Sequence, residues 1–272
     1  VWGVPYRCGY LAIAYRVSQI KTWGWEPQTW SDLWQPEVQN RLVLPDHPSL
    51  TLGITLKSLG ASINPVASPA GLTGRDGAET IPTADVVAHW QALAQQVKLY
   101  SSTTYLEPLL TGDVAIAVGW STDILPVMAQ NPDVQAIVPA PGTLLSADLW
   151  VRPRPFTSPA ATNANETASN NSAPGTLTDS ASPLPATVQE WIEFYWQRAV
   201  AIQVSNLTSG TSPILWQGDR GELPNALQTN PLRLPDPAIL AASEFLQPLS
   251  PTLASQLWTQ WNRLRQTSPR SS

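Results

Sequence analysis

The sequence predicts an α/β fold with a largely parallel sheet, and three observations carry that expectation. From Val114 to Gly119 runs an unbroken apolar segment, the pattern of a strand covered on both faces. Strand-like runs alternate with helix-like runs along the chain, as crossover connections require. The helical runs keep true helical spacing: Val86, Trp90, Leu93 and Val97 recur at i, i+4, i+7 and i+11.

Each element follows from its own residues. Residues 1–16 read as a strand pair, with Leu11, Ile13 and Tyr15 alternating against Ala12 and Ala14. Thr29 is a natural cap for a short helix carrying Trp30 and Trp34 four positions apart on one face. A short strand from Arg41 to Pro45 follows, and Pro45 and Pro48 enclose Asp46 and His47. Residues 50–59 read as a helix with Leu52, Leu56 and Leu59 on one side and Gly60 as its stop. After a Gly/Pro/Ala-rich loop over 61–82, a helix runs over 83–98, then a short amphipathic turn over 105–110. The apolar strand ends at Trp120, and further strands are expected at 136–139 and 147–151. Residues 157–187 are nearly all Ser, Thr, Ala, Asn and Pro, too polar to offset chain entropy by burial, and are expected as a loop. Helix resumes over 186–201, with Val188, Trp191, Ile192, Tyr195 and Trp196 on its apolar side, and closing helices are expected at 237–246 and 251–264.

Composition removes several classes of function. The net charge is −5, from 15 Lys+Arg against 20 Asp+Glu, so no basic stripe exists to neutralise phosphates and no nucleic acid is expected as partner. No apolar run approaches the roughly 20 residues that span a bilayer. Two histidines 42 positions apart make a poor metal site, so no metal and no cofactor are expected. Gly71, Gly74 and Gly77 lack the preceding strand and the following Lys–Ser/Thr pair of a phosphate loop. The segment from Gly119 to Asp123 lacks the second glycine of a nucleophile elbow. Cys8 stands alone, with no internal disulfide open to it, and reads as a small buried apolar side chain. Catalysis is therefore not expected. What remains are aromatic and hydroxyl side chains at strand ends, the lining of a ligand cleft.

Six segments in order carry a resemblance: Val4–Gly9, Trp30–Glu37, Leu42–Asp46, Leu56–Gly60, Gly112–Trp120 and Asp148–Val151. Together they resemble the solute-binding proteins of polyamine (spermidine/putrescine) ABC importers, over nearly all of the chain outside 157–187. The resemblance implies a periplasmic-binding-protein-like two-lobe fold of type II. Residues 1–16 would be crossing strands from lobe 1, 17–125 the second lobe, and 126–272 the return to lobe 1 with its C-terminal helices. The chain opens at Val1, its one methionine is Met128 and its start shows no leader pattern, so the first part of lobe 1 and a signal peptide are expected before it.

The implied function is capture of a small polar solute between two lobes and delivery to a membrane ABC permease, by a periplasmic monomer. A binding fold that has lost transport and serves as a sensor or structural module is the alternative. Position by position, Trp120 matches a family box tryptophan, Asp148 the carboxylate that meets an amine, and Ser102 a hydroxyl contact. The family's acidic pair falls on His47 and Leu50, with only Asp46 adjacent, and a second box tryptophan falls on Ser146. The candidate ligand-binding residues are therefore Trp120, Asp148, Ser102, Asp46 and His47. With those departures the expected solute widens from polyamines to other small polar molecules.

Overall fold

One strand organises the molecule. In the computed structural model, which describes residues 3–64, 83–151, 185–216 and 219–267, β1 (Gly3–Arg16) runs unbroken for 14 residues where a strand pair was expected. No turn divides it because its two halves find different partners. Its first half pairs antiparallel with β6 (Leu144–Val151), its second with β4 (Ile116–Trp120) and β5 (Val134–Ile137). The pairing slips between Pro5 and Arg7, where Pro5 has no N–H to give the ladder.

The expected alternation holds, and both of its faces are buried. Leu11, Ile13 and Tyr15 enter one core with Trp30, Leu33 and Ile54, while Ala12 and Ala14 enter a second with Tyr105, Ile124 and Val134. Burying such Leu and Ile side chains contributes about 1.5–3 kcal/mol each.

The sheet is mixed, which corrects the largely parallel expectation. β2 (Leu42–Leu44) is parallel to β3 (Val97–Tyr100) and to β4, and β6 is parallel to the short β7 (Glu244–Phe245), whereas every named pairing of β1 is antiparallel. An apolar run reports that both faces of a strand are covered. It carries no information about the direction of the neighbouring strand.

Among the described residues the helices are α1 (Val17–Ile20), α2 (Pro48–Ser58), α3 (Ala84–Gln96), α4 (Glu107–Thr111), α5 (Ser121–Gln130), α6 (Ala186–Tyr195), α7 (Arg198–Thr208), α8 (Asn225–Gln228), α9 (Pro237–Ala241) and α10 (Pro251–Thr267). The Thr29-capped segment is a 3-10 helix, Trp30–Trp34, in which Asp32 accepts the Thr29 backbone N–H at 2.8 Å. Thr83 caps α3, which buries Val86, Trp90 and Leu93 as their spacing demands, but the helix expected over 83–98 ends at Gln96 and Val97, also buried, opens β3. Gly60 does end α2 with φ of 71°, but Leu59 is exposed and Ile54 takes the core position instead.

The expected single helix over 186–201 is two helices, because Gln197 adopts extended backbone (φ −63°, ψ 131°) between them. No glycine or proline marks that break. Of its expected apolar side only Ile192 is buried; Trp191 and Trp196 are each 43% exposed. The helix expected over 237–246 stops at Ala241, since Glu244 and Phe245 pair with Leu144 and Leu145. The glycine run at 71–77 and most of the polar segment at 157–187 lie outside the described residues.

Candidate functional site

β1, β6 and the junction of β4 with α5 converge on a pocket of about 330 Å³, lined by Arg7, Cys8, Gly9, Trp120, Thr122, Asp123, Ser146 and Asp148. Strand alternation supplies one wall. Arg7 and Gly9 of β1 stand opposite Asp148 and Ser146 of β6 in the antiparallel register. The other wall comes from the end of β4, where Trp120 is the last strand residue and Ser121 opens α5. Two of the residues picked from the sequence, Trp120 and Asp148, therefore face one space.

A relay of hydrogen bonds fixes the β4–α5 wall. The Trp120 backbone N–H donates to the Tyr105 hydroxyl at 3.1 Å, and that hydroxyl donates to Asp123 Oδ2 at 2.6 Å. Burial, and then the Asp123 carboxylate, push the Tyr105 phenol far above its ordinary range, so it stays a proton donor. Gly119 lets the Tyr105 ring lie against the strand; a Cβ at 119 would overlap the ring. Ser121, buried, accepts the Tyr10 backbone N–H at 3.0 Å and so ties α5 to β1.

The β1–β6 wall is held by charge. Arg7 Nε and one of its terminal nitrogens each reach Asp148 Oδ2 at 2.5 Å, the short geometry of a charge-assisted pair. Cys8 is buried behind them. Burial, with Asp148 adding, pushes its thiol up to about 12, which favours the neutral thiol over the thiolate.

The other three candidates stand elsewhere on a shared edge. β3, β2 and β4 are adjacent and parallel. Ser102 follows the carboxyl end of β3, Asp46 and His47 follow that of β2, and Trp120 ends β4, the edge at which open α/β sheets bind ligands. None of the three lines the pocket with Trp120. Ser102 is exposed in a loop. Asp46 accepts from Arg265 of α10 at 2.9 Å, and the His47 ring meets Trp258 edge-on at 6.1 Å. α10 lies over the end of β2 and engages both. His47 also borders a separate, mainly apolar pocket of about 410 Å³ between α2, α3 and α10.

Arg7, Gly9, Thr122 and Asp123 were not among the ligand-binding residues expected from the sequence. Within the Val4–Gly9 segment the resemblance rests on Val4, Pro5, Tyr6 and Gly9 and not on Arg7 or Cys8, and only the slipped register opposite Asp148 reveals Arg7. Among the described residues no cluster of His, Cys, Asp and Glu is arranged to hold a metal, and no helix is long and apolar enough to cross a membrane.

Comparison with known proteins bears on this geometry. A family model described as bacterial extracellular solute-binding protein matches residues 1–170. A putrescine/cadaverine-binding protein of Pseudomonas aeruginosa is 25% identical over 167 residues, covering 55% of this chain and 42% of that protein. The spermidine/putrescine ABC transporter substrate-binding protein of Streptococcus pneumoniae superposes with a TM-score of 0.72 at 20% identity, over 97% of this chain and 69% of that one. A periplasmic thiamin binding protein superposes over 97% of this chain and 66% of its own, with a TM-score of 0.53 at 16% identity. The chain thus spans less than half the length of the curated relative and about two thirds of these solved structures. The structural likenesses establish the α/β fold of periplasmic binding proteins.

Proposed function

Because this chain belongs to the family of bacterial extracellular solute-binding proteins, we propose that it is the capture component of an ABC importer, working outside the cytoplasm. It takes a polyamine-like or other small polar solute and hands it to a membrane permease, making and breaking no bond. Residues 17–125 form one lobe of the clamp; 1–16 cross into it and 126–272 return from it. A single observation carries the reading: Trp120 and Asp148, distant in sequence, line one pocket where the crossing strands meet the carboxyl edge of the parallel strands. The Trp120 ring offers a face to a cationic or apolar group, worth about 0.5–2 kcal/mol to an ammonium. Asp123 and the hydroxyls of Thr122 and Ser146 offer hydrogen bonds that orient it, beside an Asp148 carboxylate that Arg7 already engages through Oδ2. The relatives named above for putrescine, cadaverine and spermidine make amines the first solutes to try.

Calorimetry on the full natural chain tests this, with putrescine, cadaverine, spermidine, small monoamines and neutral polar solutes. Saturable binding at micromolar concentration, weakened by Trp120→Ala, is the expected result. Silence across the whole panel, or binding untouched by that substitution, overturns the assignment of this pocket.

A further inference from the structure

The pocket already contains a cation. Its charged lining is Arg7, Asp123 and Asp148, formally one positive and two negative charges, so a single negative charge is left for a solute to balance. Arg7 is not a loose surface side chain that merely leans on the site. Besides its two contacts to Asp148 Oδ2, a terminal nitrogen donates to the Thr208 carbonyl at the end of α7, at 3.3 Å. Its stem runs over Gly210, where any Cβ would overlap Cγ and Cδ. Its guanidinium carbon stands 5.8 Å from the centre of the Tyr6 ring. The slip in pairing between Pro5 and Arg7 is what sets Arg7 directly opposite Asp148. An anion, two backbone features and an aromatic ring thus converge on one rotamer.

We propose that Arg7 is the specificity-determining residue of this pocket: a resident cation that occupies the Asp148 carboxylate where a terminal ammonium of the solute would otherwise sit. The site then takes small polar solutes carrying at most one positive charge and discriminates against diamines and longer polyamines. A second ammonium would have to displace a guanidinium held by two short charge-assisted bonds, or lie beside it as a like charge. This inference rests on the reading of the pocket as a solute site and names its ligand class.

Two solutes of equal chain length separate the possibilities: putrescine, with two ammonium groups, and 4-amino-1-butanol, with one ammonium and one hydroxyl. Their affinities are measured by calorimetry on the full natural chain and its variants, with near-ultraviolet circular dichroism as the check on folding. The natural protein is expected to favour the amino alcohol. Arg7→Ala shifts the ratio toward putrescine by tenfold or more, and adding Asp148→Asn abolishes that shift. Arg7→Gln, which keeps the stem and loses the charge, shifts it the same way should the alanine variant not fold. Arg7→Lys holds the natural preference. Gly210→Val, which dislodges Arg7 without altering any charge, moves the ratio as the alanine variant does. A ratio unchanged in folded Arg7→Ala or Arg7→Gln overturns the proposal, while solute capture itself stands if the natural chain binds either compound. Failure of every variant and of the natural chain to bind any solute of the panel overturns both readings.

Discussion

Tyr105 lies outside the pocket and yet governs two residues that line it. Its hydroxyl takes the Trp120 N–H and gives to Asp123, so Tyr105→Phe leaves a partly buried N–H without its acceptor and a carboxylate without its donor. Such a loss costs about 1–3 kcal/mol, readable as a lower urea midpoint with an unchanged slope. Gly119→Ala pushes the same ring away from the strand and is expected to cost about 1–3 kcal/mol as overpacking. If Gly119→Ala is neutral, the ring does not lie where the structure puts it. For the solute itself, Trp120→Ala is expected to weaken binding of a monoamine by roughly 2- to 30-fold, the equivalent of about 0.5–2 kcal/mol. The residues that position the site were hidden in the sequence for a physical reason. Tyr105 and Gly119 look like ordinary loop and strand residues until a ring is seen lying on a missing side chain.

At the scale of elements, α10 shows what a helix contributes once its stripe is satisfied. Leu253, Leu257, Trp261 and Leu264 recur at i, i+4, i+8 and i+11 and are all buried. Trp261 stacks with Trp90 of α3 at 5.7 Å and meets Tyr100 of β3 edge-on at 4.9 Å. Removing it by Trp261→Ala is expected to cost about 3–5 kcal/mol and to raise amide exchange across α10 more than across β1 and β4. Equal loss of protection everywhere would mean that α10 unfolds only with the whole. The helix itself was legible over 251–264, because helical propensity and spacing need no knowledge of a partner. The break between α6 and α7 was not, because Gln197 leaves the helix with no proline or glycine to signal it.

Across the whole molecule, ion pairs join segments far apart in the chain, and the least exposed of those described is that of Lys57 with Glu244. Lys57, nearly buried at the end of α2, bonds Glu244 of β7, which also accepts from Ser62 at 2.5 Å. Burial alone would raise the Glu244 carboxyl, but the bonds from Ser62 and Lys57 outweigh it and hold the group below its ordinary value of 4.5. A carboxyl depressed in the folded state stabilises it fully above the unfolded value and loses that contribution as pH falls through the folded one. Stability measured by thermal unfolding should therefore fall as pH drops below about 4.5, and Glu244→Gln should flatten that fall. A variant that keeps the full acid dependence would place the titrating group elsewhere. Lys57→Met, which leaves the Glu244 carboxylate without its cation, is expected to destabilise the fold at neutral pH.

The sequence by itself determined the α/β class, the alternation of β1, the apolar β4 ending at Trp120, the α3 stripe, the closing helix α10 and the order of the family's motifs, since all of these are written in local periodicity and composition. Strand direction, the slip at Pro5, the pairing of Arg7 with Asp148 and the seat of Arg7 over Gly210 were decided only by tertiary structure. Each depends on which strand lies alongside which, and on a register that shifts by one residue between them. A single residue of slip changes which side chain meets an acid, and no pattern along one strand records it.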